Sequence, residues 1–135
     1  MDKGQLDRVH RVRTLQLTLA RAEEVRAHAQ VATEQALSAR IAQLAEAVAP
    51  TSGSATTLLA QSHYRDRLHR SARTAADRVR MAEADAVRAV ESARAAKRDQ
   101  TAVEKLLERA RAHTLRREMR ALEDQPQHKK RHGPC

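Results

Sequence analysis

From Leu68 to Ala110, small and apolar residues return at alternating steps of four and three, the repeat by which one helix lays a continuous seam against another. One line of the repeat holds Leu68, Ala75, Ala82, Ala89, Ala96, Val103 and Ala110, and the other Ala72, Val79, Ala86, Ala93, Gln100 and Leu107. Most of these positions are alanine. Alanine is the strongest helix former because it gives up no side-chain freedom, yet each buried methyl-sized group contributes only about 0.8 kcal/mol. The repeat therefore predicts a long helix that packs closely but weakly. A monomeric hairpin of this kind should melt independently of concentration, and an intermolecular coil should not. Past Ala110 the register slips to Leu115, Met119 and Leu122.

The preceding segment also reads as helix. Asp2 followed by Gln5 forms a weak capping box. Val12, Leu15, Leu19, Ala22, Val25, Ala29, Ala32 and Ala36 then make one stripe. Leu37, Ile41, Leu44 and Val48 continue it after a phase shift of the kind an interrupted heptad produces. The run Ala49-Pro50-Thr51-Ser52-Gly53-Ser54 is the one internal break. Pro50 lacks a donor and restrains its predecessor, Gly53 frees the turn, and Ser52 or Ser54 can cap the next helix.

A connection this short returns the second helix alongside the first. The expected fold is all-α, two long helices forming an antiparallel coiled-coil hairpin with unequal arms. Its parts are a helix over about 2–49, a turn at 50–54, a helix over about 55–124 and a disordered basic tail over 125–135. With these lengths, the second helix should overhang the first beyond about Gln100.

Composition supports this reading. The 135 residues include no Trp and no Phe, and Tyr64 is the only aromatic, so a thick multi-layer core is not expected. Three Gly and three Pro leave few turns. The lone Cys135 allows no internal disulfide and suggests a reducing compartment. No apolar run approaches the roughly 20 residues needed to span a bilayer, and the opening residues lack the apolar centre of a secretory signal.

Candidate chemistry is sparse. His128, His132 and Cys135 include zinc-favoured ligand types, but they supply half a site on a polar tail, and a solvated tail is the preferred reading. His10, His28, His63, His69 and His113 are scattered along helices, and Gly4, Gly53 and Gly133 are isolated, so no phosphate loop is present. No enzyme activity, metal, cofactor or small-molecule substrate is expected.

Charge is the stronger signal. The formal net charge is +9, with charged residues making up 32% of the chain, which favours an acidic partner. Lys3, Arg8, Arg11 and Arg13 lie near the start, and Lys97, Arg98, Lys105, Arg109, Arg111, Arg116, Arg117 and Arg120 lie far along the second helix. An antiparallel hairpin brings both clusters to the end opposite the turn. A solvated charged surface and a docking end for an acidic partner both fit. Nucleic acid is disfavoured, because phosphate contacts alone would have to hold it without aromatic stacking.

The segment Ala95-Ala96-Lys97-Arg98-Asp99-Gln100-Thr101-Ala102-Val103-Glu104-Lys105-Leu106-Leu107-Glu108-Arg109 resembles a stretch of the FliJ family of flagellar export proteins, whose injectisome relatives are the YscO-type proteins. Tyr64 followed by Leu68 is similar to an aromatic–leucine pair that the family carries soon after its turn. The likeness extends over about residues 2–124; the basic tail is less acidic than the family's. It implies a non-enzymatic central stalk and chaperone of a type III export apparatus, cytoplasmic and peripherally associated with the inner membrane. It further implies that Val9, Val12, Arg13, Glu104, Lys105, Leu107 and Arg109 face a hexameric export ATPase. Tyr64 and Leu68 would contact the export-gate membrane protein, and export chaperones would be further partners. A generic basic coiled-coil adaptor and a nucleic-acid-binding helical protein remain alternatives.

Overall fold

In a computed structural model, residues 1–48 and 53–126 are described, and they form two helices, α1 (Lys3–Ala47) and α2 (Ala55–Glu123). Their 45 and 69 residues correspond to about 70 Å and about 105 Å of helix. No strand occurs among the described residues.

Each helix end has an identifiable cause. The Asp2 carboxylate accepts from the Gln5 backbone N–H at 2.7 Å, and the Gln5 amide oxygen accepts from the Asp2 N–H at 3.1 Å. Two otherwise orphaned donors are satisfied in this way. Ser54 caps α2 by accepting from the Thr57 N–H at 3.3 Å. At the close of α1, Arg65 donates to the Val48 carbonyl at 3.1 Å, placing a cation where the helix dipole is negative. Asp124 ends α2 with its N–H on the Arg120 carbonyl at 2.9 Å, and Pro126 follows. Of the expected turn, Gly53 and Ser54 are described; Ala49, Pro50, Thr51 and Ser52, and the tail from Gln127 onward, lie outside the described residues.

The helices run antiparallel in one constant register. His10 meets Glu104, Arg13 meets Asp99, Thr14 meets Gln100, Glu34 meets Arg78 and Val48 meets Arg65. The α2 seam is the one its alanine repeat predicts: Ala75, Ala82, Ala86, Ala93, Gln100, Val103 and Leu107 are buried, and the intervening seam positions are half-buried. At the end bearing the N-terminus, Leu6, Val103 and Leu107 form an apolar cluster, with Val9 and Ala110 packed against it.

α1 departs from the expected stripe. Leu6, His10, Arg13, Leu17, Ala20, Glu24, Ala27, Val31, Glu34, Ser38, Ile41, Ala45 and Val48 are buried or half-buried in an unbroken alternation of fours and threes, with Asp7, Val9, Thr14 and Ala22 also half-buried beside that line. Leu15 and Leu19 are instead 64% and 65% exposed, and Val12, Val25, Ala29, Ala32 and Ala36 also face water. No phase shift is needed. Ile41 and Val48 lie on the seam, and Leu37 and Leu44 flank it. The physical reason is that polar pairing across the helices helps decide which face turns inward. Arg13, His10, Thr14 and Glu34 each find a partner on α2, and no count of apolar residues along α1 alone registers that.

The overhang is also displaced. Gln100 is buried and donates to the Thr14 hydroxyl at 3.1 Å, and Val103 and Leu107 beyond it are buried with Leu6, so α2 is covered past the expected limit. It is free of α1 only after Ala110, where every position from Arg111 to Glu123 is exposed. At the opposite end α2 outruns α1 as well. Val48 sits beside Arg65, and residues 55–60 are exposed.

Among acidic and basic residues three or four apart on one helix, Asp77–Arg80, Glu91–Arg94, Glu23–Arg26 and Asp85–Arg88 form ion pairs. Asp7–Arg11 and Asp66–Arg70 make no such contact. Exposed pairs of this kind each contribute about 0.2–0.5 kcal/mol, so the missing two matter little.

Candidate functional site

Both basic clusters come to the end that carries the N-terminus and the close of α2, because the antiparallel register sets Leu6 against Leu107. The residues expected to face a partner there divide into two groups. Leu107 is 5% exposed and Val9 packs beside it, so both hold the hairpin closed. Arg13 is bonded to Asp99 at 3.2 Å and to Gln16 at 3.1 Å, and Glu104 lies 3.3 Å from His10. These two tie α1 to α2, though each keeps an exposed edge. Val12, Lys105 and Arg109 are exposed, and neither Lys105 nor Arg109 has an ion-pair partner among the described residues. Lys105 and Arg109 are four residues apart and therefore neighbours on the outer face of α2.

Beyond Ala110 the overhang adds a second element. Leu115, Met119 and Leu122 are exposed at spacings that place them on one helical face. Arg111 and Arg116 border that row, and Arg117 and Arg120 occupy the other side. None of these four arginines has an ion-pair partner among the described residues. The register sets Lys3, where α1 begins, opposite Ala110, so the seam line runs on through Thr114, Arg117 and Ala121 with no part of α1 facing it. Residues 111–123 therefore project about 20 Å as a basic amphipathic helix. Sequence reasoning took Leu115, Met119 and Leu122 as a slipped continuation of the seam and left them out of the candidate site. The slip itself was the available signal, since a row rotated off the seam cannot face the same partner.

Between the two helices at this end lies an open recess of about 260 Å³, lined by Asp7, His10, Glu104, Leu107, Glu108 and Arg111. Its walls carry both signs of charge. No group of three His, Cys, Asp or Glu side chains gathers as a metal ion would require among the described residues, and His128, His132 and Cys135 lie outside them.

The second candidate pair lies near the tip. Tyr64 is half-exposed, as are Leu58 and Leu59 on the turns that outrun α1. Leu68 is on the seam and half-buried, so it does not share the exposed face of Tyr64. No described helix is long and apolar enough to cross a membrane.

Compared with known proteins, the chain matches no protein-family model, no curated protein and no solved structure.

Proposed function

We propose that this hairpin is a non-enzymatic docking rod whose termini-bearing end enters an acidic protein partner, in the manner of the central stalk of a flagellar type III export ATPase. The observation that carries the reading is the overhang. Residues 111–123 present Leu115, Met119 and Leu122 bordered by Arg111 and Arg116, with Arg117 and Arg120 behind them, and none of the four arginines has an ion-pair partner among the described residues. A stiff helix projecting from a two-helix shaft can enter a ring that the full hairpin would span more bluntly. Lys105, Arg109 and Val12 extend the same end outward. Uncompensated arginines would steer the rod toward acidic loops, raising association rate more than final affinity. Leu115, Met119 and Leu122 would supply the apolar contact that holds it.

In this reading Val9, Leu107, Arg13 and Glu104 position the docking end, and the exposed residues make the contact. Tyr64 is the candidate contact with an export-gate membrane protein, with Leu68 one turn on along the seam. Export chaperones are further candidate partners, and association with the inner membrane would follow from the gate. An injectisome counterpart would use the same geometry.

The test is the ATPase rate of the cognate export ATPase with and without the chain at physiological salt, together with the ATPase's oligomeric state. Stimulation with hexamer formation supports the stalk. No stimulation and no co-elution overturns it, and a salt-titrated DNA-binding assay then separates a nucleic-acid binder from a generic coiled-coil adaptor.

A further inference from the structure

The face of α1 richest in large apolar residues is turned away from α2. Val12, Leu15, Leu19 and Val25 are all more than half exposed, and Ala29, Ala32 and Ala36 continue the strip. It runs about 36 Å along one helix, a longer contiguous apolar surface than a monomer ordinarily leaves to water.

Two properties of this face identify what covers it. Its apolar positions are nearly palindromic about Glu23 and Glu24. Reversed upon itself, the strip sets Val12 opposite Ala36, Leu15 opposite Ala32, Leu19 opposite Ala29 and Ala22 opposite Val25. Each large side chain then meets a small one, which is the condition for interdigitation. The charges beside the strip behave in the same way. Glu23 of one copy comes opposite Arg26 of the other, twice around the centre, and those two residues already pair at 2.7 Å within one chain. Gln16 falls opposite Thr33 and Arg11 opposite Gln35, and the like-charge pair Arg8 opposite Arg40 lies a turn beyond each end of the strip. An acidic helix would suit Arg8, Arg11 and Arg21, but it would bring carboxylates against Glu23 at the middle of the face.

We infer that this face of α1 is covered by the same face of a second copy of the chain, with the two α1 helices antiparallel about a two-fold axis near Glu23. The contact is isologous, so it closes on two copies and does not propagate. It uses the outer face of α1, shares only Val12 with the proposed docking end, and does not depend on the docking role of that end.

The full chain is weighed by sedimentation equilibrium over roughly a hundredfold range of concentration, where mass action must shift a dimer. The expected mass rises from one chain to two. Leu19→Glu should hold it at one chain over the same range while circular dichroism keeps its helical content. Ala29→Glu, which alters an exposed alanine and leaves the hairpin seam untouched, should do the same and carries the test should Leu19→Glu fail to fold. Orientation is read by mixing Leu15→Cys with Ala32→Cys, each also carrying Cys135→Ser. The mixture should cross-link readily, and Leu15→Cys alone should not. A single-chain mass throughout overturns the inference, as does a dimer that both glutamate variants leave intact, or ready cross-linking of Leu15→Cys to itself. A chain that stays monomeric and binds an acidic amphipathic peptide on this face overturns it in favour of a different occupant.

Discussion

The Glu34 carboxylate, its side chain 7% exposed, lies 3.3 Å from the Arg78 guanidinium across the helix interface, and its second oxygen has no hydrogen-bond partner among the described residues. Gln30 donates to the paired oxygen at 2.9 Å. A carboxylate on the seam is tolerated because it is paired, and it also fixes register: a shift of either helix would separate it from Arg78. Removing Arg78 strands a buried acceptor. Arg78→Ala should lower hairpin stability by about 1 kcal/mol, after the screening that a half-exposed guanidinium receives. Glu34→Leu should leave stability unchanged or raise it, because it removes the desolvated charge altogether. Thermal melts of both variants check the pair, and equal losses in both would refute this account.

Leu107 is the best-buried large side chain of the terminal cluster, beside Leu6 and Val103. A two-helix shaft has no third layer to collapse into the space left by truncation. Leu107→Ala should therefore cost about 2–3 kcal/mol in urea unfolding. Leu115→Ala, on the exposed overhang, should change stability by less than about 0.5 kcal/mol.

The docking role makes the opposite demand. Leu115→Glu combined with Met119→Glu should abolish ATPase stimulation while leaving the melting curve of the hairpin in place. Reversing Lys105 and Arg109 to glutamate should slow association at low salt, with the difference shrinking as salt rises. Measuring association rates at two ionic strengths decides this, and rates insensitive to both reversals would remove these residues from the docking surface.

Asp2 holds the first turn of α1 through the reciprocal bonds with Gln5. Asp2→Ala should cost about 1 kcal/mol and fray that turn. Amide hydrogen exchange would show faster exchange confined to the first turn, and unchanged protection there would mean that packing by Leu6 holds the turn by itself.

The sequence by itself determined that two helices form, where α2 begins, and which face of α2 turns inward. The alanine heptad is decisive there because α2 has one small-residue stripe and charged residues over most of the remainder. The Asp2 cap was also legible, since a cap depends on neighbours three positions away, and Ser54 was one of the two serines expected to cap α2. The inward face of α1 was not legible. α1 carries one row led by Leu15 and Leu19 and another containing Arg13, Glu24 and Glu34, and periodicity favours the more apolar. The tertiary structure turns the second row inward, where Arg13 meets Asp99, His10 meets Glu104 and Glu34 meets Arg78. The same register moved the free end of α2 from Gln100 to beyond Ala110, and it divided the expected docking residues into those that close the hairpin and those that face outward. Rotation and register belong to a pair of helices: they depend on which side chains meet across the interface, and that is settled only when both helices are in place.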